Sequence, residues 1–150
     1  MSAPQFIRTP PCVLQGAPSP VQATGRTLRW GVVATGRIAA RVTEDIARLE
    51  DAVLQAVSSR SEATAVEFAH RFGFAASYYD DEARGKGYRQ LFADPEVDVV
   101  YIASPHAQHY ELTREALDAG KHVLCEKSIT INAAELADLI EVAGRRGVFL

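Results

Sequence analysis

"LRWGVVATGRIAARVTEDIARLEDAVLQAVSS", residues 28–59, decides the fold. Residues 28–34 are an apolar, β-branched run ending in small side chains, the pattern of a buried strand. Ile38, Val42, Ile46 and Leu49 then recur at helical spacing, which predicts a helix over 37–50 with those residues on its covered face. Residues 51–59 return to a strand pattern. Strand, tight turn, helix and strand in so short a stretch make a βαβ unit, whose two strands must run parallel.

The same alternation continues along the chain. A helix is predicted over 61–73, with Ala65, Phe68 and Phe72 on one side and Gly73 as its stop. A short strand fits 74–80, a short helix and turn 87–96, and a continuous apolar strand 97–104. Then come a helix over 107–120, a strand over 121–126, a helix over 132–147 and the start of a sixth strand at 148–150. Asn132 and Glu135 have the spacing of a capping box. Strands that are apolar throughout and alternate with helices imply a parallel sheet covered on both faces. The expected fold is therefore α/β, a doubly wound parallel sheet of the Rossmann type, in the order 3-2-1-4-5-6.

Composition suits one soluble domain: 150 residues, 47% apolar and 23% charged. A formal net charge of −3 and the lack of a basic stripe argue against nucleic acid as a partner. No run is long and apolar enough for a membrane partner. Five of the seven prolines fall within residues 1–26, which read as a flexible head ahead of a domain over 27–150. The head carries few arginines and no long amphipathic run, so it gives little support to a targeting segment. Cys12 and Cys125 sit in unlike contexts, and reduced thiols in the cytoplasm are the expectation.

In a doubly wound fold, ligands bind beyond the carboxyl ends of the strands, at the switch point of strand order. After strand 1, Ala34, Gly36 and Ala39 occupy the three positions of the G-x-G-x-x-G/A pattern. Gly36 lets the backbone approach a pyrophosphate, and the following helix offers its unpaired N–H groups. Ala34 departs from the pattern and makes the turn less permissive. Ala34, Thr35, Gly36, Arg37 and Ile38 are the candidate phosphate-binding residues. After strand 2, Ser59 and Arg60 stand where an NAD enzyme usually has a carboxylate. A hydroxyl and a guanidinium suit a 2′-phosphate, so NADP is expected ahead of NAD. A plainer reading makes Ser59 and Glu62 a capping box and Arg60 a solvated residue of the first turn.

After strand 4, Pro105 falls just before a helix, and one of His106 and His109 is a candidate for the substrate or nicotinamide side, the plainer reading being a solvent-facing histidine at the helix start. His106 and His109 lack a matching Cys or carboxylate, and no metal is expected. After strand 5 comes Glu126-Lys127. Elsewhere such a pair is a solvated strand end. Beside a nicotinamide cleft, a lysine can hydrogen-bond the substrate oxygen that gains or loses a proton. Working near neutrality requires that its cationic form be disfavoured, by desolvation or a neighbouring positive charge. Adjacent strand residues point to opposite faces, so direct pairing of Glu126 with Lys127 is not expected.

"LRWGVVATGRIA", "SSRS" and "LFADPEVDVVYIASPHAQHYELTREALDAGKHVLCEKS" together resemble the Gfo/Idh/MocA oxidoreductases, over about 28–150. Within the family they look most like the NADP-dependent dihydrodiol and D-xylose dehydrogenases. The resemblance implies a cofactor-binding domain and a Glu-Lys-Pro motif whose lysine assists proton transfer. Here Glu126 and Lys127 match it as cofactor-side residues, Lys127 being the catalytic candidate, and Ser128 replaces the proline, while Ser104, Pro105 and His109 match the family's motif after strand 4, which lies along the nicotinamide side. It implies hydride transfer between NADP and a hydroxyl-bearing carbon of a sugar or dihydrodiol. It also implies a C-terminal domain that supplies substrate contacts and any homo-oligomer interface. That domain is expected to be absent, the chain ending within strand 6. The alternatives are a non-catalytic nucleotide-binding module and an inactive fragment.

Overall fold

A computed structural model describes residues 25–150. Apart from Gly25 and Arg26, the proline-rich head lies outside the described residues, as does Cys12. Five strands form one sheet: β1 (Leu28–Val33), β2 (Ala52–Ser59), β3 (Ala76–Tyr79), β4 (Val99–Ile102) and β5 (His122–Cys125). Their order is β3-β2-β1-β4-β5, and every neighbouring pair is parallel. The helices are α1 (Arg37–Ile46), α2 (Glu62–Phe72), α3 (Gly87–Ala93), α4 (His109–Asp118) and α5 (Ala133–Arg146); a 3-10 turn (His106–Gln108) leads into α4.

Side chains along a strand alternate between faces, and the two cores follow that parity. Val32, Val57 and Tyr101 face α1 and α2, packing with Ala39 and Phe68. Val33, Val100 and Ile102 face α3, α4 and α5, packing with Leu91, Leu117 and Leu139. Helices therefore cover both faces, as a doubly wound sheet requires.

Two sequence expectations are corrected. The first is the sixth strand. Residues 148–150 are not a strand; they meet β5 through one backbone bond, from Val123 N–H to the Phe149 carbonyl (2.9 Å). A single bond makes no ladder, so the observed order is 3-2-1-4-5. The second is the covered face of α1. Ala39, Thr43 and Ile46 are buried, whereas Ile38 and Leu49 are 43% and 51% exposed. Small side chains at 39 and 43 let the helix lie close on the sheet, and α1 ends at Ile46, before Leu49 can join its face.

The ends of the elements follow local chemistry. Gly73 closes α2 at φ +80°, a conformation that costs glycine nothing. Asn132 caps α5, its side-chain oxygen accepting from Glu135 N–H at 2.9 Å. The return bond runs from Ile131 N–H to the Glu135 carboxylate (3.4 Å) rather than from Asn132. At the amino ends of the strands, Arg29 clamps β1 to β4: its backbone N–H (3.0 Å) and guanidinium (2.9 Å) donate to the Asp98 carboxylate.

Candidate functional site

The carboxyl ends of β2, β1, β4 and β5 are stitched by bonds that run just past the strands. Ala34 N–H donates to Ser58 O (2.9 Å), Ala103 N–H to Val33 O (3.1 Å), and Glu126 N–H to Ile102 O (3.0 Å). Above them, where α1 departs on one face of the sheet and α4 on the other, lies a cleft of about 660 Å³. This is the switch point of the strand order, where such folds bind ligands.

The turn after β1 forms one wall. Ala34 sits at φ +83°, the left-handed conformation for which the sequence pattern usually supplies glycine. Gly36 caps α1 in extended conformation, and no side chain caps the first turn, which leaves its N–H groups available to an anion. A Cβ placed on Gly36 would meet no protein atom within 4 Å. The space beside Gly36 is therefore not taken by packing.

Of the sequence candidates, Ala34, Thr35, Gly36, Ser59, Arg60, Ser104 and Pro105 line this cleft together. Ser59 Oγ lies 2.6 Å from Thr64 Oγ1 and 3.5 Å from Thr35 Oγ1, which joins the two walls. The capping residue of α2 is Ser61, so the Ser59–Glu62 box does not form. Ser104 Oγ is buried and has no hydrogen-bond partner among the described residues.

The other candidates lie elsewhere. Arg37 opens onto a second groove between α1 and α2, which it shares with Arg41 and Arg71 and which meets the cleft at Thr35 and Gly36. Ile38 is largely exposed. His109 is fully buried and is not part of the cleft lining. Its Nδ1 is 2.8 Å from the Ser128 carbonyl and its Nε2 is 2.8 Å from the Ser104 carbonyl. A neutral ring donates to one of these oxygens and an imidazolium to both. Glu126 accepts a 2.7 Å bond from the hydroxyl of Tyr101. Burial, with the Glu126 carboxylate adding to it, pushes that hydroxyl well above the ordinary tyrosine range. Lys127 follows on an exposed segment whose Lys127–Ser128 peptide is cis. No ion pair between Glu126 and Lys127 is formed. Among the described residues, no three metal-ligand side chains converge, and no helix is long and apolar enough to cross a membrane.

Sequence reasoning missed Asp80 and Lys86, which follow β3 and line the same cleft. β2 and β3 are in register with Ser59 beside Tyr79, so Arg60 and Asp80 leave the sheet side by side. Only strand order could have revealed this.

With this geometry in view, comparison with known proteins is specific. Residues 28–150 match the model of an oxidoreductase family with an NAD-binding Rossmann fold, Gfo/Idh/MocA. The chain belongs to this family. It is 39% identical over 133 residues to D-xylose 1-dehydrogenase (NADP(+)) of Hypocrea jecorina, a match covering 83% of this chain and 33% of that protein. It is 40% identical over 125 residues to trans-1,2-dihydrobenzene-1,2-diol dehydrogenase of Mus musculus, covering 82% and 35%. Among solved structures, a 3-ketoreductase from Actinomadura kijaniata in complex with NADP and TDP-benzene superposes with a TM-score of 0.75 at 32% identity, over 83% of this chain and 36% of that one. The chain thus spans about a third of the length of these relatives.

Proposed function

We propose that the cleft binds a nicotinamide dinucleotide, NADP ahead of NAD. A longer form of the protein would pass hydride between that cofactor and a hydroxyl-bearing carbon of a sugar or dihydrodiol. The observation that carries this reading is the cleft itself: it straddles the switch point and adjoins the uncapped start of α1 at Gly36. The residues fit the cofactor. The empty space beside Gly36 suits a close pyrophosphate, and the unpartnered Ser104 hydroxyl is an orphan donor in the same cleft.

Thr35, Gly36 and the first-turn N–H groups of α1 would hold the pyrophosphate. Ser59 and Arg60 would take the adenosine ribose and its 2′-phosphate, where the planar fork of arginine matches phosphate geometry. Ser104 and Pro105 would flank the nicotinamide. The bound cofactor supplies or accepts the hydride. Lys127 would hold or release the proton at the substrate hydroxyl oxygen. Tyr101 occupies one oxygen of Glu126, and the Lys127 ammonium forms no ion pair among the described residues. The substrate class is supported by the likeness to D-xylose and dihydrodiol dehydrogenases. We place the protein in the cytoplasm on the Cys125 thiol, which is unpaired among the described residues.

Gly36→Val tests the reading. The backbone at Gly36 is one any residue adopts, and an added Cβ has nothing within 4 Å to meet. The variant should fold, losing at most about 1 kcal/mol as a poorer N-cap. Titrated by NADPH fluorescence, it should lose at least about tenfold in affinity. A variant that binds NADPH as the parent does refutes a pyrophosphate at Gly36.

A further inference from the structure

We infer that Lys86 is a second cation for the 2′-phosphate of the dinucleotide and a determinant of NADPH over NADH. This rests on the proposal that the cleft binds such a cofactor. In this fold the residue after β2 meets the adenosine ribose, which assigns Ser59 and Arg60 to that end of the cleft. The register of β2 with β3 brings Asp80 beside Arg60. Alone, Asp80 would oppose a 2′-phosphate and favour a ribose with free hydroxyls, the usual role of a carboxylate there.

Lys86 reverses that balance. Its Nζ donates to Asp80 Oδ2 at 2.8 Å, while Gly87 N–H donates to Oδ1 at 3.0 Å. Burial raises the affinity of the Asp80 carboxyl for a proton. The Lys86 ammonium, the Gly87 N–H and the charge of Arg60 outweigh burial and hold the carboxyl below the ordinary range. Lys86 and Arg60 line the same cleft. Two cations, Arg60 and Lys86, against one carboxylate, Asp80, leave these three residues net positive, and a 2′-phosphate is close to dianionic at neutral pH.

Lys86 is also held in place. The loop between β3 and α3 is closed by reciprocal bonds between Asp81 and Gly85, at 2.9 and 2.7 Å. The Asp81 carboxylate accepts from Ala83 and Arg84 N–H at 2.9 and 2.8 Å. On the far side, Gly87 packs so closely on Tyr79 that an added Cβ would lie 2.7 Å from the Tyr79 Cα. The lysine is thus presented from an anchored loop, and its four-carbon stem can swing from Asp80 to a phosphate oxygen.

The test is a paired titration of NADPH and NADH against the parent chain, Lys86→Ala, Lys86→Arg and Asp80→Asn, repeated at several salt concentrations. Lys86→Ala should weaken NADPH about tenfold, the size of one lost charge-assisted bond, and change NADH less than about threefold. Its NADPH affinity should also fall less steeply with salt. Lys86→Arg should retain the preference, and Asp80→Asn should keep or tighten NADPH binding. Unchanged NADPH affinity and salt slope in Lys86→Ala, or equal losses for both cofactors, would overturn the role of Lys86 alone. A parent chain that binds neither cofactor would overturn the dinucleotide reading and this inference with it.

Discussion

Replacing Ala34 by glycine should make the protein more stable. Ala34 is held at φ +83°, a left-handed conformation that costs a residue with a Cβ about 1–2 kcal/mol. Glycine removes that cost. Its freer unfolded chain takes back about 0.4–1 kcal/mol, and losing a half-buried methyl takes back about 0.4 kcal/mol. The balance is a gain of about 0.5 kcal/mol. Gly73→Ala is the mirror experiment. Gly73 lies at φ +80° with nothing within 4 Å of an added Cβ, so no packing offsets the strain, and the loss should be about 1 kcal/mol. Urea denaturation at 25 °C measures both. With slopes of about 1–3 kcal/mol/M, the midpoint should rise by a few tenths molar for Ala34→Gly and fall further for Gly73→Ala, slopes unchanged. If Gly73→Ala loses stability while Ala34→Gly gains none, the claim of strain at Ala34 is refuted.

Three further outcomes are expected. Asp98 is held at about 2, against an ordinary 3.8, by the side-chain bonds of Arg29, with burial opposing and the Arg29 N–H assisting. A carboxyl lowered in the folded state stabilises above its unfolded pKa and ceases to as pH falls through the folded one. Asp98→Asn should therefore cost about 1–2 kcal/mol at pH 7, allowing for solvent screening. Denaturation curves should show that deficit closing between about pH 4 and pH 2; a deficit independent of pH counts against the pairing. Gly87→Ala forces a Cβ to within 2.8 Å of Tyr79 backbone atoms, so a loss of about 1–3 kcal/mol in chemical denaturation is expected. In a full-length form, Lys127→Ala should lower kcat by about 10²–10⁴ and shift NADPH affinity little; steady-state turnover equal to the parent would remove Lys127 from the mechanism.

The sequence pattern carried the sheet because buried parallel strands are largely apolar, and 30–34, 99–103 and 123–125 are such runs. It also placed the turn from Ala34 to Gly36, where the requirement is local. It failed where packing distance decides. The larger side chains Ile38 and Leu49 marked one face of α1, but close approach to the sheet selected Ala39 and Thr43. It failed again for groups joined only by strand order: Asp80 and Lys86 carry no motif and reach the cleft because β3 lies beside β2. His109 shows a third limit. Its position after β4 was legible, but its place in the interior goes with two carbonyl oxygens, the nearby Ser104 and the more remote Ser128, which no motif announces.

That same imidazole acts as a strut. One end meets the Ser104 carbonyl on the rim of the cleft and the other the Ser128 carbonyl, next to Lys127. An outward swing of the lysine segment would open the contact between the ring and the Ser128 carbonyl. The cleft-lining residue Ser104 and the segment that carries Lys127 thus share one ring as their neighbour. The proton resonances of a single histidine ring would register a change at either carbonyl.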